Sequence, residues 1–163
     1  MARIDFVTGN AQRYLPAVGA LAEVPDRLER LLAAHPAAEL RHAPAAGEWS
    51  PARIMGHLVA YARHSRSRIH RMVWMTDPVF APFDDEQEAE ANAWEAQSGA
   101  ALLEALTAAI AETVEELKDL PDASWGRAGI HPVDGRRSIH QQVLMGMDHY
   151  AEHCDQLERA VAR

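Results

Sequence analysis

A stripe of large apolar side chains at helical spacing is the feature that most constrains the fold of this chain. Between residues 102 and 117, apolar residues recur every three or four positions, which places them on one face of a helix. No stretch of the chain sustains the alternation of apolar and polar residues that is typical of a half-buried strand. Because such a face must be buried against a partner, the sequence predicts helices packed on helices. The stripe consists of Leu102, Leu103, Leu106, Ile110, Val114 and Leu117.

Four long helical regions are predicted, separated by loops that contain proline and glycine. The longest of these loops is predicted at 121–137. Four helices joined in this way indicate an all-α fold, an antiparallel four-helix bundle, and the length indicates a single domain over residues 1–163. The helical regions lie near 11–34, 50–75, 85–119 and 138–161.

Local signals mark several helix ends. Ser50 followed by Pro51 is typical of a helix start, because serine caps the first turn and proline fits the first helical position. Ser138 with Gln141 three residues later has the spacing of a capping box. Pro25 predicts either a kink in the first region or the start of a new helix there. The third region is predicted to be interrupted at residues 98–99, a Ser-Gly pair.

The charge and the cysteine content exclude several classes of protein. A net charge of −8 argues against a general binder of nucleic acid or of anionic membranes, both of which present phosphate. The single cysteine, Cys154, excludes an internal disulfide framework and a cysteine-rich zinc site, and we interpret it as a packed thiol. With no targeting signal and no long apolar run, a cytoplasmic location is expected.

The sharpest chemical signal is a pair of histidines, His149 and His153, four residues apart on the last predicted helix. Residues at this spacing share one face of a helix, so the two imidazoles can bind one cation. The same face carries Met145, which we assign to a core-facing stripe, and Gly146, so the pair is predicted to point inward. The alternative is that each ring is satisfied by a backbone carbonyl or a tyrosine hydroxyl.

A third ligand has to come from another helix, and His57 lies in an apolar stretch of the second helical region. Metal sites in helix bundles draw side chains from facing helices. Three histidines would leave a coordination position open, which is typical of catalytic rather than structural metal sites. The alternative is a core histidine satisfied by hydrogen bonds.

Three further residues are candidates for substrate contact or proton transfer: Tyr61, His64 and Glu152. Tyr61 lies one turn from His57, and His64 lies two turns from it on the same face. Residues 149–153, His-Tyr-Ala-Glu-His, also match the inverted zinc-protease motif, with Glu152 as general base. We reject that interpretation, because too few residues follow His153 to supply the further acidic ligand of that class.

Two other groups of residues have ordinary structural interpretations. A basic cluster on the second helical region could bind an anionic substrate, but pairing with the acids of 84–95 is the commoner use of such charges. The four tryptophans are interpreted as packing anchors rather than as a cage around a ligand. The basic cluster consists of Arg63, Arg66, Arg68 and Arg71, and the tryptophans are Trp49, Trp74, Trp94 and Trp125.

Two segments together resemble the DinB/YfiT-like metalloenzyme family. Residues 49–58, WSPARIMGHL, are similar to the start of the family's second helix, and residues 148–157, DHYAEHCDQL, to its fourth-helix motif. The resemblance spans nearly the whole chain and implies a four-helix bundle with an unusual connection order. It also implies a divalent metal held by three histidines, which map onto His57, His149 and His153.

The resemblance also implies a range of activities. Characterised relatives include thiol S-transferases that use a low-molecular-weight thiol, and a thiol-dependent isomerase. The chain departs from the family at Arg53, where relatives often have glutamate, and in lacking an acid shortly after His57.

From these observations we expect a metal-dependent enzyme, either a thiol S-transferase acting on small electrophiles or a hydrolase. Zinc or nickel is the expected ion, with a low-molecular-weight thiol as co-substrate and a small molecule as substrate. The family resemblance also suggests a homodimer. The alternative is a non-catalytic helical bundle that binds a metal or a small ligand.

Overall fold

The structure, a computed structural model, describes residues 13–36 and 39–162, except for the side chain of Glu39. The start of the predicted first helix, before residue 13, lies outside the described residues. The predicted four-helix bundle is confirmed, and two of its predicted helices are divided into shorter ones. In chain order the helices are α1 (Leu15–Ala22), α2 (Val24–Ala33), α3 (Pro51–Trp74), α4 (Asp85–Asn92), α5 (Gly99–Lys118) and α6 (Ile139–Val161).

The predicted helix ends agree with the structure where a local cap defines them. Ser50 caps α3, and its Oγ accepts a hydrogen bond from the backbone N–H of Arg53 at 3.2 Å. Ser138 and Gln141 form the predicted capping box at the start of α6. Pro25 lies in the first turn of α2. Of the two alternatives predicted for this proline, the structure therefore shows the start of a new helix and not a kink.

The third predicted helix is interrupted earlier than expected. Helix α4 ends at Asn92, because Ala93 adopts a left-handed conformation with φ of 47°. A 3₁₀ turn, Trp94–Ala96, follows, and Ser98 then caps α5 by accepting from the backbone N–H of Ala101. The side chain of Trp94 explains this arrangement, since it is buried against Gly56 of α3, where a Cβ would collide with the indole.

The predicted loop at 121–137 is only partly a loop. It contains a 3₁₀ turn, Asp122–Gly126, and most of an antiparallel hairpin of β1 (Ala128–His131) and β2 (Gly135–Ser138). The preceding segment joins β1 through hydrogen bonds from Phe80 N–H to the Ile130 carbonyl and from Ile130 N–H to the Pro78 carbonyl. The hairpin therefore attaches the segment before α4 to the end of the bundle.

Helix α3 is the centre of the molecule, and it packs against both α5 and α6. Its fully buried residues include Ile54, Leu58 and Ile69, and full burial of such a side chain contributes about 1.5–3 kcal/mol. Direct packing of α3 on α6 brings the second and fourth predicted helical regions face to face. Among residues 13–36 and 39–162, no helix has both the length and the apolar character that a membrane span requires.

Candidate metal centre

Three histidine rings meet between α3 and α6. One ring nitrogen from each of His57, His149 and His153 lies within 4.8 Å of the others. The Nε2 atoms of His57 and His149 are 2.9 Å apart, and the ring centroid of His153 lies 4.5 Å from each of the other two. The structure thus brings together the three histidines selected from the sequence, while their role as metal ligands remains a prediction.

The second nitrogen of two of these rings is held by a hydrogen-bond acceptor. The Nδ1–H of His57 donates to Oδ1 of Asp85 at 2.5 Å, and the Nδ1–H of His153 donates to Oε1 of Gln156 at 2.7 Å. With the proton of each ring on Nδ1, Nε2 is the nitrogen that offers a lone pair. Histidines that bind metals in proteins are typically held through the second nitrogen in this way.

Burial favours the neutral form of His57 and His149. Desolvation lowers the pKa of His57, a shift that the neighbouring Asp85 carboxylate opposes and that His153 adds to. Burial, together with the charges that His153 and His57 would carry, lowers the pKa of His149 to about 3. Both rings are therefore neutral near pH 7, which is the protonation state that a metal ligand requires.

Tyr61 forms one wall of the cluster. Its ring stacks on His149, with centroids 3.9 Å apart and planes 28° apart. The backbone of α6 approaches the phenol closely at Gly146, where a Cβ would lie 3.4 Å from its hydroxyl oxygen. Burial raises the pKa of Tyr61 to about 12, so the hydroxyl is a neutral group that can donate a hydrogen bond. Tyr61 is thus in contact with the site through the ring of His149, while its role in substrate contact or proton transfer remains a prediction.

Two other aromatic side chains enclose the histidines. The ring of Trp49 lies 5.4 Å from His57 and is parallel to His153 at 6.3 Å, measured between centroids. Phe83 approaches His57 from the side of α4, at 5.9 Å. These aromatic surfaces pack against the rings of His57 and His153 and reduce their contact with solvent.

A cleft of about 550 Å³ opens beside His153. It lies between the segment before α3 and the last turns of α6, and it is large enough for a small organic molecule. Glu152, predicted as a catalytic candidate, lines this cleft next to His153. The lining residues are Pro44, Gly47, Glu48, Trp49, Ile54, Glu152, His153, Gln156, Arg159 and Ala160.

His64 lies outside the histidine cluster. Its Nε2 contacts Oε1 of Glu88 at 3.0 Å, and its ring packs edge-on against Phe83 at 4.7 Å. It therefore lies at the side of the site that α4 covers, whereas Glu152 lines the cleft on the other side, beside His153.

The helix face that carries the histidines is oriented differently from the prediction. Met145 is 41% exposed and does not belong to a core-facing stripe. At about 100° per residue, the buried face of α6 is centred near Tyr150 and Leu157. His149 and His153 lie at the edge of that face, and Met145 lies beyond it.

The basic cluster does not pair with the acids of 84–95 in the contacts of the described residues. Arg66 pairs with Glu112 on α5 at 2.6 Å. Arg68 is buried and donates to the carbonyl of Ala81 and to Nε2 of His131, while Arg71 donates to the carbonyl of Val79. Arg68 and Arg71 therefore attach the segment before α4 to α3, because the carbonyls of Ala81 and Val79 lie close to that helix. Arg68 also contacts the hairpin through His131.

The predictions for Cys154 and for the tryptophans can also be compared with the structure. Cys154 is buried, and burial raises the pKa of its thiol, which agrees with a packed role. Trp94 and Trp125 are packing anchors, but Trp74 is 72% exposed, because α3 ends there at the surface.

The contact between Asp85 and His57 was not predicted from the sequence. The one available signal is weak: Asp85 is an acid in the first turn of a helix that follows a proline-containing segment.

The sequence matches a known superfamily, and the fold matches a solved structure. The sequence model of the DinB superfamily matches residues 20–157. The fold is similar to that of YfiT from Bacillus subtilis, described as "a probable metal-dependent hydrolase with an unusual four-helix bundle topology". The TM-score is 0.83 with 18% sequence identity, and the match covers 93% of this chain and 89% of that chain. No curated protein matches the sequence significantly.

Proposed function

This chain belongs to the DinB superfamily, and on that premise we propose that it is a metal-dependent enzyme whose divalent ion is held by His57, His149 and His153. The observation that carries the proposal is the convergence of one ring nitrogen from each of three imidazoles, on two helices, within 4.8 Å. The acceptors on the Nδ1 atoms of His57 and His153 support it, since they leave both Nε2 lone pairs available.

The donor set fits a borderline divalent ion. Imidazole suits zinc and nickel, and three neutral ligands cancel none of the ion's charge. A divalent ion bound there would supply a Lewis acid that lowers the pKa of a water or thiol at neutral pH. The aromatic side chains of Trp49, Tyr61 and Phe83 pack against the rings that would hold the ion.

The reaction that we propose is transfer chemistry, in which a low-molecular-weight thiol loses its proton, its sulfur forms a bond to a small electrophile, and the displaced group leaves with the electron pair of the broken bond. The cleft beside His153 supports a small-molecule substrate, since its volume of about 550 Å³ suits one and His153 is among its lining residues. In the proposed reaction Glu152, which lines the cleft, would accept or return a proton, while Asp85 and Gln156 hold two rings in orientation.

Hydrolysis is a second candidate reaction. The description of YfiT as a probable metal-dependent hydrolase favours it, as does the presence of a carboxylate, Glu152, in the cleft. In hydrolysis water takes the place of the thiol as nucleophile, and Glu152 would serve as its general base. The two reactions differ only in which nucleophile the site accepts.

The test begins with protein purified without a histidine tag and analysed for bound metal. Metal-loaded protein is then incubated with a panel of cellular thiols and electrophiles, and separately with the electrophiles alone. The proposal expects turnover that chelation abolishes. Thiol-dependent turnover indicates the transferase, and turnover without thiol indicates the hydrolase.

Two variants make this test specific. His149→Ala should lower metal affinity by more than about 100-fold, beyond the loss typical of residues that only support a ligand. His70→Ala is the matched control, since His70 lies on α3 but pairs with Glu116 at 2.8 Å away from the cluster. Metal binding that is equal in both variants would refute the centre. Metal binding without turnover on any substrate would favour the non-catalytic alternative.

A further inference from the structure

Helix α4 is held on α3 mainly by polar contacts. None of its side chains is fully buried, and Ala89 is its apolar contact with the core. Its acids instead reach across to α3: Asp85 to His57 at 2.5 Å, Glu86 to Arg53 at 2.6 Å and Glu88 to His64 at 3.0 Å. Just beyond α4, Glu95 accepts a hydrogen bond from Ser50.

Of these contacts, the one made by Asp85 reaches the histidine cluster. The side chain of His57 is 4% exposed, whereas that of Asp85 is 40% exposed. Without Asp85, the buried Nδ1–H of His57 would have no hydrogen-bond acceptor among the residues that the structure describes. Leaving a buried N–H without an acceptor costs free energy, because the group has also lost its hydrogen bonds to water. Asp85 therefore determines which nitrogen of His57 carries the proton, and it keeps the lone pair of Nε2 directed toward His149.

We propose that Asp85 is the positioning residue of the metal centre, and that docking of α4 on α3 is coupled to metal binding through it. The inference rests on the proposed metal centre. An ion on Nε2 draws electron density from the ring of His57, which makes its Nδ1–H a stronger donor to Asp85. Because coupling between two binding events is reciprocal, the contact that docks α4 also strengthens metal binding.

The first test measures the zinc affinity of the full-length protein by competition with a chromophoric chelator. Asp85→Ala should weaken zinc binding by about 10–100-fold, the range typical of residues that hold a metal ligand. Asp85→Asn keeps an acceptor oxygen without the charge, so its loss should be smaller. Glu88→Gln is the matched control, because it removes one acidic charge from the same helix but keeps an acceptor oxygen for His64, so its affinity should remain close to that of the wild type.

The second test separates positioning from a general loosening of the fold. In zinc-free protein, the ¹⁵N shifts of the His57 ring should report a proton on Nδ1 in the wild type and in Glu88→Gln, and a mixture of tautomers in Asp85→Ala. Zinc should slow amide hydrogen exchange in residues 84–92 of the wild type and should have a smaller effect in Asp85→Ala. Circular dichroism checks that each variant is folded.

The outcomes are distinct. If Asp85→Ala binds zinc as tightly as Glu88→Gln and its tautomer is unchanged, the positioning role of Asp85 is wrong and the metal centre stands. If zinc binds the wild type without slowing exchange in α4, the coupling is wrong. If the wild type itself binds no divalent ion, the proposed function is refuted, and this inference is refuted with it.

Discussion

His57 and His149 are separated by 92 positions in the chain, and their Nε2 atoms lie 2.9 Å apart. The contact crosses the interface between α3 and α6, so it depends on how closely these two helices pack. At 2.9 Å the two nitrogens cannot both carry a proton, and in the metal-free protein one ring donates to the other. Changes that shift α3 against α6 should therefore affect the site as well as the core.

Replacing Gly56 with alanine should destabilise the fold next to the site. The new Cβ would collide with the buried indole of Trp94, which has little room to move. Overpacking of this kind costs about 1–3 kcal/mol, and thermal unfolding measures it. Gly19→Ala is the control, because no atom lies within 4 Å of a Cβ there and helix propensity favours alanine. Equal melting temperatures for the two variants would contradict this account of the packing.

The ring of Tyr61, rather than its hydroxyl, should support metal binding. Tyr61→Phe keeps the stacking on His149, so zinc affinity should stay near the wild-type value. Tyr61→Leu removes the stacked ring and should weaken binding by several-fold, up to about 10-fold, the lower limit for residues that orient a ligand. If Tyr61→Phe keeps zinc affinity but loses turnover, the hydroxyl contacts substrate. Equal zinc affinity in the phenylalanine and leucine variants would contradict the stacking role.

Glu152→Gln should lower turnover without lowering metal affinity. The carboxylate lines the cleft beside His153 but does not belong to the three-histidine cluster. Loss of a general acid or base typically costs about 10²–10⁴-fold in rate. Steady-state kinetics of the metal-loaded variant measures the effect. Glu158→Gln, on the same helix but beside Arg27, is the control and should retain activity. Undiminished turnover in Glu152→Gln would rule out proton transfer by this residue.

His131 should make the fold less stable in mild acid. Burial first, and then the positive charges of Arg68 and Arg137, lower its pKa below the ordinary 6.5, while Asp134 opposes the shift. The unfolded chain then binds a proton at a pH where the folded protein does not. Its contribution is therefore fully present above pH 6.5 and is lost as the pH falls toward the lowered pKa.

The measurement compares urea unfolding at pH 7 and pH 5 in metal-free wild type and His131→Gln. The buried histidines of the cluster contribute to both proteins, so the informative quantity is the difference between the two pH dependences. The variant should lose less stability between pH 7 and pH 5 than the wild type does. An identical loss in both proteins would show that His131 does not contribute.

The parts of the fold that could be predicted depend on neighbouring residues in the chain. Ser50 and Ser138 define their helix starts by hydrogen bonds within one turn, so the sequence pattern is sufficient. His149 and His153 are on one face because of their spacing alone. His57 could be predicted as the third member of the cluster because it lies in an apolar stretch and because the family resemblance includes it.

The remaining features depend on contacts between distant residues. The hairpin of β1 and β2 is short, and it is joined by residues 78–80 through a bridge that no local pattern indicates. Asp85 stands between two other acids, Asp84 and Glu86, and only the docking of α4 on α3 decides which of them meets His57. Met145 was misplaced for a related reason, since the centre of a buried helix face depends on all its neighbours.

The distribution of the three histidines over two helices has a consequence for selectivity among ions. His149 and His153 move together, because they lie one turn apart on the same helix, so the distance between them is nearly constant. The distance from His57 to this pair depends instead on how α3 packs against α6. The size of the space between the rings is therefore a property of the helix interface, where Tyr61 faces Gly146. Substitutions at these two positions would alter which ionic radius the site accommodates while leaving every nitrogen donor in place.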